Sequence, residues 1–290
     1  MLELSELPLG IYEKAFPPAE WPELLARARE LGFDFVEMSV DESDRRRSRV
    51  EWSAAERREF VRTVEQSGLR VPSICLSGNR STPIGSEDPA LAARGIELMR
   101  KTVDLSADIG VRIVQLAGYD VYYNETSTPE TRERFVRNLA GVVDYAAANA
   151  VMLSMEIMDT RFMSSISRFL YLRERLPSPW LTVYPDLGNL SAWNDNAAEE
   201  LEIGLRMGLV AAVHLKDTYA VSHDFPGQFR DVPFGEGCVD FPRLFSVLKR
   251  GGYAGQFLIE MWNRGEEDPT PVAQARDRLR RLMAEADRAG

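Results

Sequence analysis

The sequence predicts a closed barrel of eight alternating strands and helices, a single (β/α)8 or TIM barrel. Three observations carry this reading. Strand-like apolar runs recur near residues 8–12, 33–40, 71–77, 112–118, 151–158, 181–187, 210–217 and 255–262. Helical periodicity fills the intervals between them. The segments that follow strands are long and polar, whereas those leading from a helix to the next strand are short, as in barrel enzymes. Eight such units favour closure. An open doubly wound sheet fits less well, because no GxGxxG follows a strand. No Pro/Gly/Ser-rich linker interrupts residues 1–290, so one domain is expected.

Each helical interval has its own signals. After the first strand comes AEWPELLARAREL, and after the second SAAERREFVRTVEQSG, in which Ser53 with Glu56 three residues on fits a capping box. The third and fourth strands are followed by ALAARGIELMRKTVDLSADIG and ETRERFVRNLAGVVDYAAANA. Gly32, Gly68, Gly110 and the Gly251-Gly252 pair sit where these helices should stop. The strands read as near-continuous apolar runs, the pattern of a parallel sheet covered on both faces. The tail RDRLRRLMAEADRAG reads as a charged amphipathic helix with a frayed last turn. The longest connection, TYAVSHDFPGQFRDVPFGEGCVDF, follows the seventh strand; its stretch 218–235 includes His223.

Composition narrows the function classes. Apolar residues make up 44% and charged residues 28%, ordinary for a globular protein. The net charge of −10, with Arg45-Arg46-Arg47 as the densest basic run, argues against a nucleic-acid partner, which needs a basic face. That triplet lies among Asp41, Glu42, Asp44 and Glu51 and reads as a solvated loop with internal charge pairing. Cys75 and Cys238 are the only cysteines, too few for a disulfide framework. Without a basic, apolar leader or a membrane-length apolar run, a cytoplasmic protein is expected.

The chemistry concentrates in the second half. VMLSMEI carries Glu156, LTVYPD ends on Asp186, AAVHLKD carries His214 and GQFLIEM carries Glu260, at spacings of 30, 28 and 46 residues. These are about one βα unit, another, and a third with a long loop, so the four residues should converge at one rim of the barrel. Glutamates among methionine and isoleucine inside strands are costly unless paired with a lysine or bound to a cation. Asp186 also suits a helix cap, and His214 a satisfied core position. Together the four make a site for one divalent metal ion, Mn²⁺, Mg²⁺, Co²⁺ or Zn²⁺. Glu37 also ends a strand and adds a further acid at the rim, more than can stay ionised without cations. His223 reads as a surface residue.

Such a site suits proton transfer beside a ketone. A metal chelating a carbonyl and the neighbouring hydroxyl acidifies the carbon-bound hydrogen and stabilises an enediolate. Glu156 and Glu260, from the fifth and eighth strands, would act as two bases on opposite faces. Return of the proton to the same carbon gives epimerisation, and return to its neighbour gives aldose–ketose isomerisation.

The segments LGIYEKA, LGFDFVEMSVDESD, VPSICLS, GSEDP, IVQLAGYDVYY, MEIMD, YPDLGNLSAWN, HLKDT, VPFGEGCVDF and LIEMW resemble the L-ribulose-5-phosphate 3-epimerases, members of the xylose-isomerase-like TIM barrels. The resemblance runs through nearly the whole chain. It implies interconversion of L-ribulose 5-phosphate and L-xylulose 5-phosphate in pentose or ascorbate catabolism, by a homodimer acting on a small sugar phosphate, with no membrane partner. It also implies metal ligands at Glu156, Asp186, His214 and Glu260, with Glu156 and Glu260 as the acid/base pair. Asn189 and Arg230 fall at substrate-contacting positions. Glu37 and Lys216 are further substrate-binding candidates.

Three other readings compete. A sugar or hydroxypyruvate-type isomerase would use the same site with a different proton return. An endonuclease of this fold would need a multi-zinc, histidine-rich cluster, which two histidines cannot supply. A metal-stabilised sugar-binding protein would have the ligands without the chemistry. For a substrate phosphate, Lys14, Arg80, Lys216 and the loop Asn189–Ser191 are available, with Arg80 reading as solvated.

Overall fold

The computed structural model describes residues 2–263, 265 and 267–289. Eight parallel strands form the barrel: β1 (Leu9–Tyr12), β2 (Phe35–Val40), β3 (Ser73–Leu76), β4 (Ile113–Leu116), β5 (Met152–Glu156), β6 (Leu181–Tyr184), β7 (Ala212–Leu215) and, after a hairpin of β8 (Asp217–Tyr219) and β9 (Gln228–Val232), β10 (Gln256–Ile259). Each barrel strand lies inside the run read from the sequence. The order is β6-β5-β4-β3-β2-β1-β10-β7. Bridges Val183↔Val210 and Asp186↔His214 complete the ring between β6 and β7. Among the described residues, no helix is long and apolar enough to cross a membrane.

The outer face is the hydrophobic one. Ile11, Val36, Met38, Ile74, Val114, Leu153, Met155, Val183, Val213 and Ile259 point outward into a core shared with the helices. The alternating residues, including Glu37, Ser39, Ser73, Gln115, Ser154, Thr182 and His214, line the interior and are buried. The strands are therefore not uniformly apolar. The polar letters in FVEMSV, IVQL and LTVY mark the inner face. Gly10 lets the chain pass over the ring of Phe35, since a Cβ there would lie 2.2 Å from it.

Helix ends follow the sequence signals. The helix Ala54–Ser67 (α3 in chain order, after α1 at Trp21–Glu30 and α2 at Asp44–Arg47) starts with the Ser53/Glu56 capping box. It ends on Gly68 at φ 72°, a left-handed stop. Two expectations change. The arginine triplet forms the short helix α2 where a solvated loop was expected; the expected local charge pairing is present between Arg46 and Asp41, and other partners come from outside the segment. Arg45 pairs with Glu20, and Arg46 with the buried Glu13 and with Asp41. The connection after β7 is not structureless either. Its β8–β9 pair is antiparallel, and the Asp217 carboxylate accepts hydrogen bonds from the amides of Gly235 and Gly237.

The terminal helix Thr270–Ala289 does not fray before residue 289. It buries Leu279 and Met283. Its Asp287 accepts hydrogen bonds from the backbone of Leu4 (2.7 Å) and Ser5 (2.9 Å) and pairs with Lys249 at 3.0 Å. Burial alone would raise the Asp287 carboxyl, but these donors outweigh it and hold the group well below the usual carboxylate range. A depressed native pKa contributes stability above the unfolded value near 3.9 and loses it as pH falls below that. Asp287→Asn is expected to lower Tm at pH 7 by about 2–4 °C. Thermal unfolding should show the gap to wild type narrowing at pH 3; a gap unchanged there would sink this account.

Candidate active site at the open end of the barrel

Glu156 is the last residue of β5, Asp186 follows β6, His214 sits within β7 and Glu260 follows β10. One donor atom from each lies within 4.8 Å of the others, and all four side chains are buried. Two of them, Asp186 and His214, are themselves bridge partners at the seam that closes the barrel. Ring closure thus sets their spacing.

His214 sits between two glutamates. Its Nδ1 lies 3.0 Å from Glu156 Oε1, and its Nε2 lies 3.3 Å from Glu37 Oε2. Burial disfavours the imidazolium, but the hydrogen bonds to Glu156 and Glu37 outweigh it and hold the imidazole well above the ordinary histidine range. Glu37 is the third residue of β2, not its last, and lies fully buried. Ser73 Oγ donates to it at 2.6 Å, and Tyr184 Oη at 3.3 Å. The acid expected at the rim therefore stands beneath the site, behind His214.

Asp186 divides its oxygens. Oδ1 accepts the Asn189 amide at 2.7 Å, capping the short helix Leu187–Trp193, while Oδ2 is buried without a hydrogen-bond partner. The nearest cation is Lys216, whose Nζ lies 3.1 Å from that Oδ2 and 2.9 Å from Glu260 Oε2. Burial raises the Asp186 carboxyl to about 7 against the pull of Lys216. Burial also raises Glu156. It acts on Glu260 too, but there Lys216 and His214 prevail and bring the carboxyl down to about 2. The two glutamates are thus pushed apart in acidity, as an acid and a base require.

A cavity of about 120 Å³ opens beside them, lined among others by Tyr12, Lys14, Ser77, Arg80, Asn189 and Arg230. Arg230 arrives on β9 and stacks over Trp262 at 4.9 Å. Asn189 donates to the Ile157 carbonyl at 2.8 Å, leaving its Oδ1 buried and unpartnered. Lys14 is engaged by Asp41 at 2.5 Å. Arg80 is not a solvated loop residue: its guanidinium lies over Tyr119 at 5.3 Å and Tyr122 at 5.6 Å. His223 stands apart on the surface, 2.7 Å from Asp224.

Sequence reasoning missed Gln115, whose amide donates to Glu156 Oε2. It also missed Trp262, which backs both Arg230 and Lys216. The polar letter inside IVQL was the available sign for Gln115. Nothing in the sequence singled out Trp262 beyond its place two residues after Glu260.

The comparisons with known proteins fit this geometry. The xylose isomerase-like TIM barrel family model matches residues 25–282. The L-ribulose-5-phosphate 3-epimerase UlaE of Escherichia coli strain K12 / DH10B is 52% identical over 284 residues, spanning 97% of each chain. The solved structure of an L-ribulose 3-epimerase superposes with a TM-score of 0.75 at 20% identity, covering 98% of this chain and 95% of its own. A xylose isomerase-like TIM barrel protein from Mycobacterium smegmatis, solved with magnesium, gives a TM-score of 0.73 at 18% identity and covers 99% of both chains. At these identities the structural matches speak for the fold.

The position of His214 yields a spectroscopic expectation. In chelator-treated protein at pH 7, both ring nitrogens should be protonated, since the raised pKa keeps the imidazolium populated. Nitrogen-15 NMR reads this directly. Glu37→Gln should move the titration midpoint down; a neutral ring at pH 7 in the unsubstituted protein would contradict the assignment.

Proposed function

The chain belongs to the xylose isomerase-like TIM barrel family and, within it, to the L-ribulose-5-phosphate 3-epimerases, and on that premise we propose that it is a metal-dependent ketopentose-phosphate 3-epimerase. Its reaction would interconvert L-ribulose 5-phosphate and L-xylulose 5-phosphate. The observation that carries this reading is the packing of Glu156, Asp186, His214 and Glu260 donor atoms within 4.8 Å, beside a cavity that both glutamates line.

The residues suit a divalent cation. Four carboxylates, Glu37, Glu156, Asp186 and Glu260, are buried against His214 and Lys216, the cationic groups in direct contact with them among the described residues. Asp186 Oδ2 lacks a hydrogen bond. His214 turns Nδ1 toward the other donors and Nε2 toward Glu37, the backing by a carboxylate that metal-bound histidines favour. Glu156, Asp186, His214 and Glu260 would hold the ion, whose charge, when bound, acidifies the hydrogen on a carbon flanked by carbonyl and hydroxyl.

The protein's own groups do the proton work. Glu260, the stronger acid of the pair, enters as a carboxylate and removes the C3 proton. Glu156, held up by burial, delivers a proton to the opposite face and leaves C3 inverted. Each glutamate returns to its starting state through exchange with solvent, or through the reverse reaction. Gln115 fixes the Glu156 carboxyl by donating to its second oxygen. Lys216 and His214 keep Glu260 ionised. Asn189 and Arg230 would orient the sugar oxygens.

Incubation with L-ribulose 5-phosphate in D₂O is expected to give L-xylulose 5-phosphate labelled at C3. Label at C1, or an aldose product, would move the reaction to isomerisation. Glu156→Gln and Glu260→Gln should each lower kcat by about 10²–10⁴-fold. Glu37→Gln should weaken divalent-ion binding by about 10- to 100-fold at unchanged stoichiometry, measured by titration calorimetry. Unaltered affinity in that variant would remove Glu37 from its supporting role.

A further inference from the structure

Arg230 reaches the site on an irregular strand. In the β8–β9 hairpin, Asp217 pairs with Val232 and Tyr219 with Gln228. Thr218 alone separates these pairs on β8, whereas Phe229, Arg230 and Asp231 separate them on β9. The surplus on β9 is a bulge, a device that re-aims side chains beside active sites.

Its effect shows in what neighbouring residues face. A regular strand sends successive side chains to opposite sides. Phe229 and Arg230 are adjacent, yet both line the cavity of about 120 Å³ beside Glu156 and Glu260. The Phe229 ring lies 6.0 Å from that of Trp193, and the Arg230 guanidinium 4.9 Å over Trp262. Asp231 and Val232 instead line a second cavity, of about 720 Å³, against the terminal helix. A regular register could keep only one of Phe229 and Arg230 in the smaller cavity, and the apolar contact with Trp193 favours Phe229.

The chain turns at Asp231, whose φ is 61°. Among the described residues the other non-glycine with positive φ is Ala150, just past the helix Pro129–Ala148, where left-handed stops are common. Within a strand such backbone is rare. Asp and Asn enter it more readily than other side chains, and β-branched residues least. Gln228 fastens the bulge from its other end, its side-chain amide donating to the Arg230 carbonyl at 2.9 Å.

We propose that the left-handed bulge at Asp231, fastened by Gln228, turns Arg230 into the cavity, so that Asp231 and Gln228 are positioning residues for substrate binding. The part played in binding rests on the epimerase reading above; the aim of Arg230 does not.

The test compares Asp231→Val, Asp231→Asn, Asp231→Gly and Gln228→Ala with Arg230→Ala in the metal-loaded protein, with thermal unfolding as the check on folding. Two readouts are taken: kcat and KM for L-ribulose 5-phosphate, and the Trp262 indole resonance by nitrogen-15 NMR, assigned through Trp262→Phe. Arg230→Ala should raise KM by about 10- to 100-fold with kcat changed far less. Valine disfavours left-handed backbone by about 5- to 30-fold, so Asp231→Val should raise KM by a similar factor. It should also move the indole resonance as Arg230→Ala does, because the guanidinium leaves the ring. Gln228→Ala should shift both readouts the same way, with KM up by about 2- to 10-fold. Asp231→Asn and Asp231→Gly, which admit the left-handed backbone, should recover most of both. Asp231→Val should add nothing further once Arg230 is alanine. An indole resonance that stays in place in Asp231→Val would overturn the proposal, since Arg230 would have kept its aim. Equal losses in the valine, asparagine and glycine variants would also overturn it, by assigning the effect to the carboxylate. Wild-type protein that leaves L-ribulose 5-phosphate unchanged would end the epimerase reading, and the indole shifts would still decide what aims Arg230.

Discussion

Four carboxylates buried at the mouth of one barrel set the terms for everything around them. Placing ionised groups out of water is expensive, and removing a partner from such a set leaves charge uncompensated. His214 and Lys216 answer part of that cost, His214 facing Glu37, Glu156 and Asp186, and Lys216 bridging Asp186 and Glu260. The remainder appears as a carboxyl of Asp186 raised to about 7. A site that stays short of positive charge is prepared for a cation, and its walls are held in position before one arrives. Backbone pairing of Asp186 with His214 at the closing seam makes that preparation part of the fold itself.

The barrel separates its two tasks by strand alternation. Outward residues supply the apolar contacts with the helices, while inward ones form a hydrogen-bonded interior that ends in the site. The lower polar residues are not idle. Ser73 and Tyr184 donate to Glu37, which in turn steadies His214. Loops then diversify the rim. The hairpin after β7 brings Arg230 over Trp262, and the turn after β3 brings Arg80 over two tyrosines.

Much of this was legible in the chain. The eight strand positions, the helix stops at glycine and the capping box at Ser53 depend on local chemistry, which a linear sequence records. The four strand-end donors were visible because metal-binding letters stand out within apolar runs at βα spacing. What failed to show was long-range partnership. Glu37 reads as a rim acid although its apolar run extends to residue 40; β2 continues three residues past it to Val40, which leaves its side chain below the rim. Arg46 pairs with Asp41 as the local charges suggested, but its second partner, the buried Glu13, lies 33 positions earlier on the turn after β1, out of reach of any local pattern. Arg80 looked bland because no local pattern announces that two tyrosines from the loop after β4 will cover it. The hairpin was hidden for a related reason: QFRDV pairs with DTY, and neither is apolar enough to read as a strand.

The same partnership explains why the interior can be so polar without the fold failing. A buried polar group is costly only when unsatisfied, and a connected network makes each bond stronger and each position more fixed. Thr182 to Ser154, Tyr12 to Ser39 and Gln115 to Glu156 are contacts of this kind, running across neighbouring or nearby strands. Buried atoms without a hydrogen-bond partner occur in several parts of the chain, Ser106 Oγ and Arg173 Nε on outer helices among them, and four sit where a ligand would go: Asp186 Oδ2 in the donor cluster, with Asn189 Oδ1, Ser77 Oγ and Arg80 Nε around the cavity. At the site those open positions are bonds that an ion or a substrate can make, held in place by the satisfied network around them.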